Sequence, residues 1–148
     1  MRAFKRIGLI TAAISAVAFI CVAGLPGNPA AEAAEKADAG KAASAQADFQ
    51  RLEGRWVRPD GGYVLELRNI RKDGSMTAGY FNPRPIRVFR AEAGKKDGML
   101  TVFVELRDVN YPGSTYKLQY DPATDRLKGT YFQAVQRQTF DIEFVRVK

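Results

Sequence analysis

The sequence predicts an all-β domain, an eight-stranded antiparallel up-and-down β-barrel, and three observations carry that prediction. From Gly54 onward, seven clusters of turn-forming residues punctuate the chain at regular spacing. Between them, apolar and polar residues alternate with period two, as in a strand that buries one face. No stretch shows the apolar period of an amphipathic helix. One apolar side and one wet side on eight strands, within about 95 residues, favour closure, because a barrel leaves no exposed edge. A two-sheet β-sandwich is the alternative.

The turns fall at Pro59–Gly62, Lys72–Ser75, Asn82–Pro85, Gly94–Gly98, Asn110–Gly113, Asp121–Asp125 and Ala134–Arg137. Between the first turns the inward set is Leu65 and Leu67, then Met76, Ala78 and Tyr80, then Ile86 and Val88. It continues through Leu100, Val102, Val104 and Leu106, then Tyr116, Leu118 and Tyr120. Leu127, Gly129 and Tyr131, then Phe140, Ile142 and Phe144, complete it. The outward set is polar: Glu66, Arg68, Arg87, Thr101, Glu105, Lys117, Gln119, Lys128, Asp141 and Glu143.

Ahead of the strands lie two segments of different texture. Arg2, Lys5 and Arg6 precede an apolar run from Ile7 to about Leu25, followed by Ala31-Glu32-Ala33. A basic start, an apolar middle and an Ala-x-Ala site read as a secretory signal peptide over residues 1–34, and so as a periplasmic or secreted protein. Cys21 lies inside that segment behind Ile20, where lipid attachment needs a small residue, so a lipoprotein is the minor alternative. Residues 35–49 are Ala-rich and lack branched apolar side chains, as a flexible or transiently helical linker does, with a helical turn expected at Asp48–Glu53. The barrel domain then spans residues 50–148.

Composition excludes several chemistries. The chain has no histidine and one cysteine, so a Ser-His-Asp or Cys-His nucleophile and a His- or Cys-based zinc site are ruled out. No Gly-rich phosphate loop or carboxylate-rich metal loop appears, and no cofactor is expected. The net charge is +7. Removal of residues 1–34 takes away Arg2, Lys5, Arg6 and Glu32, which leaves 20 basic and 15 acidic residues and a net charge of +5. That excess is modest, and nucleic acid is not an expected partner. Arg68, Arg71, Lys72, Arg84, Arg87, Arg90, Lys95 and Lys96 read as a solvated outer wall.

The opening of the barrel, Leu52-Glu53-Gly54-Arg55-Trp56, followed by Asp73-Gly74 and Thr77-Ala78-Gly79-Tyr80, resembles the start of avidin and streptavidin. More loosely it resembles the lipocalins, which also begin with Gly-x-Trp. The resemblance covers Leu52 to Tyr80. It implies that Trp56 plugs one end of the barrel and that Tyr80 touches a ligand. It does not extend to biotin: the chain has one tryptophan, and Gln138 precedes Thr139-Phe140 where that family has an aspartate. Glu105 to Tyr116 also resembles a group of small exported bacterial proteins of unassigned function, which implies no chemistry.

In a meander, alternate turns share a rim. The even turns are short Asp/Gly/Pro turns. The odd turns gather Arg58, Asp60, Asn82, Arg84, Arg107, Asp108, Asn110, Tyr111, Gln133, Gln136, Arg137 and Gln138 at one end, the end that the resemblance leaves open. Tyr80, Tyr116 and Tyr131 stand near that rim on the inward face. Tyrosine hydroxyls with amides above them are what a small, partly polar ligand needs; packing of the barrel is the other reading of the same tyrosines. Arg107 either holds an anionic group or braces the Pro112-Gly113 turn. The expected ligand-binding residues are Tyr80, Asn82, Arg107, Asn110, Tyr116, Tyr131 and Gln138, with Trp56 as a structural plug. The expected function is non-catalytic binding of a small molecule. The alternative is a solid barrel that meets another cell-envelope protein with the same rim, and an enzyme is not expected.

Overall fold

A computed structural model describes residues 40–41 and 43–148; the signal-peptide and Cys21 expectations lie outside the described residues. The body is one antiparallel sheet rolled into a nearly closed barrel. Its strands are β1 (Gly54–Val57), β2 (Val64–Arg68), β3 (Thr77–Asn82), β4 (Arg84–Ile86), β5 (Val88–Lys96), β6 (Met99–Asp108), β7 (Tyr111–Asp121), β8 (Arg126–Gln133) and β9 (Gln138–Arg146). The order across the sheet is β4-β3-β2-β1-β9-β8-β7-β6-β5, an up-and-down meander joined through β1 and β9. One continuous sheet excludes the sandwich.

The strands number nine where eight were expected, because the fourth segment breaks at Arg87. The Arg87 N–H donates to Asp108 Oδ2 at 2.9 Å, and its carbonyl accepts from the Arg107 N–H at 3.0 Å. The end of β6 thus takes both backbone groups of Arg87, on the side away from β3. A bulge between Val88 and Arg90 follows, so the inward phase passes from Val88 to Ala91 and Ala93 and leaves Phe89 on the outside. Beyond β4 the seam is held by a bridge between Ser75 and Glu92 and by an Ala93 N–H to Gly74 carbonyl bond of 2.8 Å. Only glycine fits at Gly74: its φ is +83°, and a Cβ would stand 2.1 Å from the Ala93 oxygen.

All seven expected turns occur. Asp97 and Gly98 both have positive φ, as a two-residue hairpin turn between right-twisted strands requires. Pro112 and Gly113, expected in a turn, instead lie within β7. The register shifts between Leu106 and Arg107, and Gly113 takes φ +95° as the bulged residue. The turn proper is Val109-Asn110.

The core follows the expected alternation, with Leu65, Leu67, Val102, Val104, Leu106, Tyr116, Leu118, Leu127 and Phe144 almost wholly buried. Phe140 faces the interior but sits at the mouth, 41% exposed. The even-turn end is stoppered. Residues 43–50 are helical, and Phe49 and Leu52 are buried in the core. Hydrogen bonds from Gln46 to the Ile70 carbonyl and from the Ile70 N–H to Glu53 fix this segment across the barrel end, and a Lys95–Asp48 ion pair adds to them. The folded body therefore takes in the last residues of the Ala-rich segment, because Phe49 supplies the apolar anchor that the alanines before it lack.

Candidate functional site

Trp56 belongs to the stoppered end. It is fully buried, donates from Nε1 to the Leu52 carbonyl at 3.0 Å and meets Tyr120 edge-on. The Arg146 guanidinium lies 4.1 Å over its ring. Arg146 in turn donates to the carbonyls of Glu53 and Arg51 and to Asp125. This ties the last strand to the segment that precedes the first.

The odd-turn end holds a cup of about 170 Å³, lined by Arg58, Tyr63, Tyr80, Asn82, Asn110, Tyr111, Tyr131 and Gln133. Period two along β1 and β2 explains three of these: Arg58 follows Trp56 inward, and Tyr63 precedes Leu65; Tyr80 pairs with Leu65 across the β2–β3 ladder. The bulge at Gly113 turns Tyr111 toward the interior, where it packs against the core and meets Tyr80 edge-on, with ring centres 6.2 Å apart. Tyr116 lies under the floor, stacked on Tyr131 at 4.5 Å. Five of the six tyrosines thus form one cluster, and the sixth, Tyr120, is with Trp56.

A chain of polar contacts runs through this cluster. Arg58, 8% exposed, donates from Nε and Nη2 to Asp60 and from Nη1 to the Tyr116 hydroxyl at 3.5 Å. The hydroxyls of Tyr116 and Tyr80 share a 2.7 Å bond. The guanidinium also lies over the rings of Tyr63, at 4.6 Å, and Tyr131, at 5.9 Å. Asn82 bonds the Tyr111 hydroxyl at 2.7 Å, and the Ser114 hydroxyl accepts from the Ala134 N–H.

Burial and these contacts set the charge states. Burial pushes Tyr116 up to about 12, even though its bonds with Tyr80 and Arg58 work the other way. Burial first, and Tyr116 second, raise Tyr80 well above the phenol range. Burial raises Tyr131 too, against the pull of Ser114 and Arg58. Burial disfavours charge on Arg58, but its bonds to Asp60 and Tyr116 outweigh that and hold it cationic. The Arg58 guanidinium draws Asp60 below the ordinary carboxylate value.

Of the residues singled out in the sequence, Tyr80, Asn82, Asn110, Tyr116 and Tyr131 come together at the cup. Two do not. Arg107 is on the outer wall, paired with Glu105 at 2.7 Å and lying 3.8 Å over Phe89. Gln138 is exposed at the start of β9, and Gln133, opposite it, lines the cup instead. Arg58, Tyr63, Tyr111 and Gln133 complete the lining. Larger hollows exist outside, two of them about 430 Å³ over β5–β8 beside Lys96, Lys117 and Lys128, and about 800 Å³ around Asn69–Thr77. Neither is lined by a buried charged side chain. Among the described residues no three metal-ligating side chains gather, and no helix is long and apolar enough to cross a membrane.

The fold and this end define a nearly closed antiparallel barrel, plugged at one end and compatible with a calycin-like fold. No protein-family model, no curated protein and no solved structure matches the chain.

Proposed function

We propose that this is an exported, non-catalytic binding protein that holds a small, partly polar ligand in the cup at the open end of its barrel, as avidins and lipocalins do. The observation that carries the reading is the contrast in the interior: one end stoppered by Phe49, Leu52 and Trp56, the other a tyrosine-walled concavity with a buried cation and amide groups. Such a mixture of apolar walls and few polar groups is what small-molecule sites present. Export is supported by the basic, apolar and Ala-x-Ala pattern of residues 1–34. The Gly-x-Trp opening, with Trp56 buried at the closed end, supports kinship with the avidin and lipocalin barrels. A binder rather than an enzyme is favoured because Tyr80, Tyr116 and Tyr131 keep their protons at neutral pH and so offer no general base.

A second reading draws on a separate observation. Val109, Val135 and Phe140 are 91%, 62% and 41% exposed on the same rim, so a partner protein of the cell envelope would meet apolar loop tips there. Native mass spectrometry of the protein purified from its exporting host separates the two. A reproducible added mass, lost on denaturation, is the outcome for a ligand carrier. A bare mass alone, or a mass that includes a second protein, moves the assignment to the interaction surface.

A further inference from the structure

The cup offers hydrogen-bond donors without protein acceptors around one positive charge. Among the described residues, Arg58 is the one charged group in its lining. A guanidinium has five N–H donors, and three of Arg58's are engaged, two on Asp60 and one on Tyr116 at a long 3.5 Å. One N–H on each terminal nitrogen is left without a protein acceptor among the described residues. The hydroxyls of Tyr80 and Tyr116 carry two hydrogens and share one bond, so one hydrogen is left over whichever donates. The Asn82 amide and the Tyr111 hydroxyl carry three hydrogens and share one bond, so two are left over whichever way the amide is turned. Burial keeps the Tyr80 and Tyr116 hydroxyls protonated, so these donors persist at neutral pH.

We propose that the cup takes a small carboxylate, with Arg58 as its anchoring charge; the proposal rests on the binding reading above. A carboxylate brings only acceptors, about four lone-pair sites on two oxygens, and a charge opposite to Arg58. A neutral amide brings one acceptor oxygen and no charge to set against Arg58. A cation meets a buried guanidinium in a region of low dielectric. Asp60 shows that Arg58 accepts a carboxylate at its Nε–Nη2 edge, and it does so from the solvent side, with its own side chain 59% exposed. The ligand's carboxylate would use the terminal N–H groups that Asp60 leaves free. Size sets the rest: about 170 Å³ is close to the roughly 150 Å³ that admits a benzene ring in an apolar cavity. An acid with a ring or a few carbons fits, its apolar part against Tyr63, Tyr80 and Tyr131.

The test uses benzoate, benzamide and benzylammonium as probes on the full chain, with calorimetry for affinity and backbone amide shifts for location. Benzoate is expected to bind at least about tenfold more tightly than benzamide, with no binding of benzylammonium, and to shift the amides of Arg58, Asn82 and Tyr111. Asp60→Asn, which frees the guanidinium without emptying the interior, is expected to tighten benzoate binding several-fold, and Arg58→Gln to abolish it. If Arg58→Gln does not fold, Asp60→Asn decides alone: unchanged or weaker benzoate binding overturns Arg58 as the anchor. Benzamide equal to benzoate, with shifts at the cup, overturns the carboxylate and leaves the binding reading standing. No shift at the cup with any of the three probes overturns both. A short peptide with a free C-terminus, compared with its amidated form, separates a chain terminus from a free acid as the source of the carboxylate.

Discussion

Each end of the barrel carries an arginine laid over an aromatic ring, and the two arginines are spent differently. Arg146 lies over Trp56 and sends its donors to two backbone carbonyls and Asp125, which close the end by joining β9 to the segment before β1. Arg58 lies over Tyr63, more deeply buried, with one long bond to Tyr116 and a carboxylate partner that faces solvent. One guanidinium is a clasp whose partners are covalently fixed parts of the fold. The other engages the same number of N–H groups, three, but on a solvent-facing carboxylate and a phenol hydroxyl, beside an open cup. A buried charge is costly unless paired; Asp60 pairs Arg58 from the solvent side, which leaves the other face of the guanidinium toward the cup.

The difference can be broken from the closed end first. Trp56→Ala removes a fully buried indole and is expected to cost about 3–5 kcal/mol of stability, read from the urea midpoint; a loss below about 1 kcal/mol would mean that the stopper is not structural. Next in size, Arg146→Leu removes the donor of the half-buried Glu53 carbonyl and the packing over Trp56 and is expected to cost about 1–3 kcal/mol. Arg58→Leu should cost less, since Asp60 is solvated; equal or larger destabilisation would put both arginines in the same structural role.

Alkaline titration sharpens the contrast. The folded-state value of Tyr116 lies above its ordinary 10.0, at about 12, so the protonated, folded form is favoured. Stability is therefore unaffected below pH 10 and falls as the pH rises from 10 towards 12. Tyrosinate absorbance should show that Tyr80, Tyr116 and Tyr131 ionise late, and Tyr116→Phe should flatten the alkaline loss of stability. The smallest effect is expected outside the barrel. Arg107→Ala should change stability by less than about 0.5 kcal/mol, because its Glu105 pair is on an exposed wall, and should leave binding at the cup untouched.

The barrel was legible because period-two alternation and turn chemistry are local. All seven turns and most of the inward face could be read without knowing what packs against what. The same alternation also carries information about the site. If Trp56 is inward, so is Arg58, and if Leu106 is inward, Arg107 is not; polarity drew attention to Arg107, whereas phase identifies Arg58. Tyr63 follows from Leu65 in the same way. Tyr111 could be placed on the rim from its turn, but its inward orientation was not legible, because it turns inward only through the bulge at Gly113, a register shift set by pairing with β6. The break at Arg87 was hidden for the same reason, since it depends on Asp108, distant in sequence, capturing a backbone N–H.

The most direct test of an open, ligand-holding end opposite a stoppered one is an amide-shift map of the protein with a mixture of small polar fragments, read at both ends of the barrel at once. Shifts are expected at Arg58 through Tyr63, Asn82, Asn110, Tyr111 and Gln133, with Leu52, Trp56, Tyr120 and Asp125 unmoved. Shifts concentrated around Trp56 and Arg146, or none at either end, would contradict it.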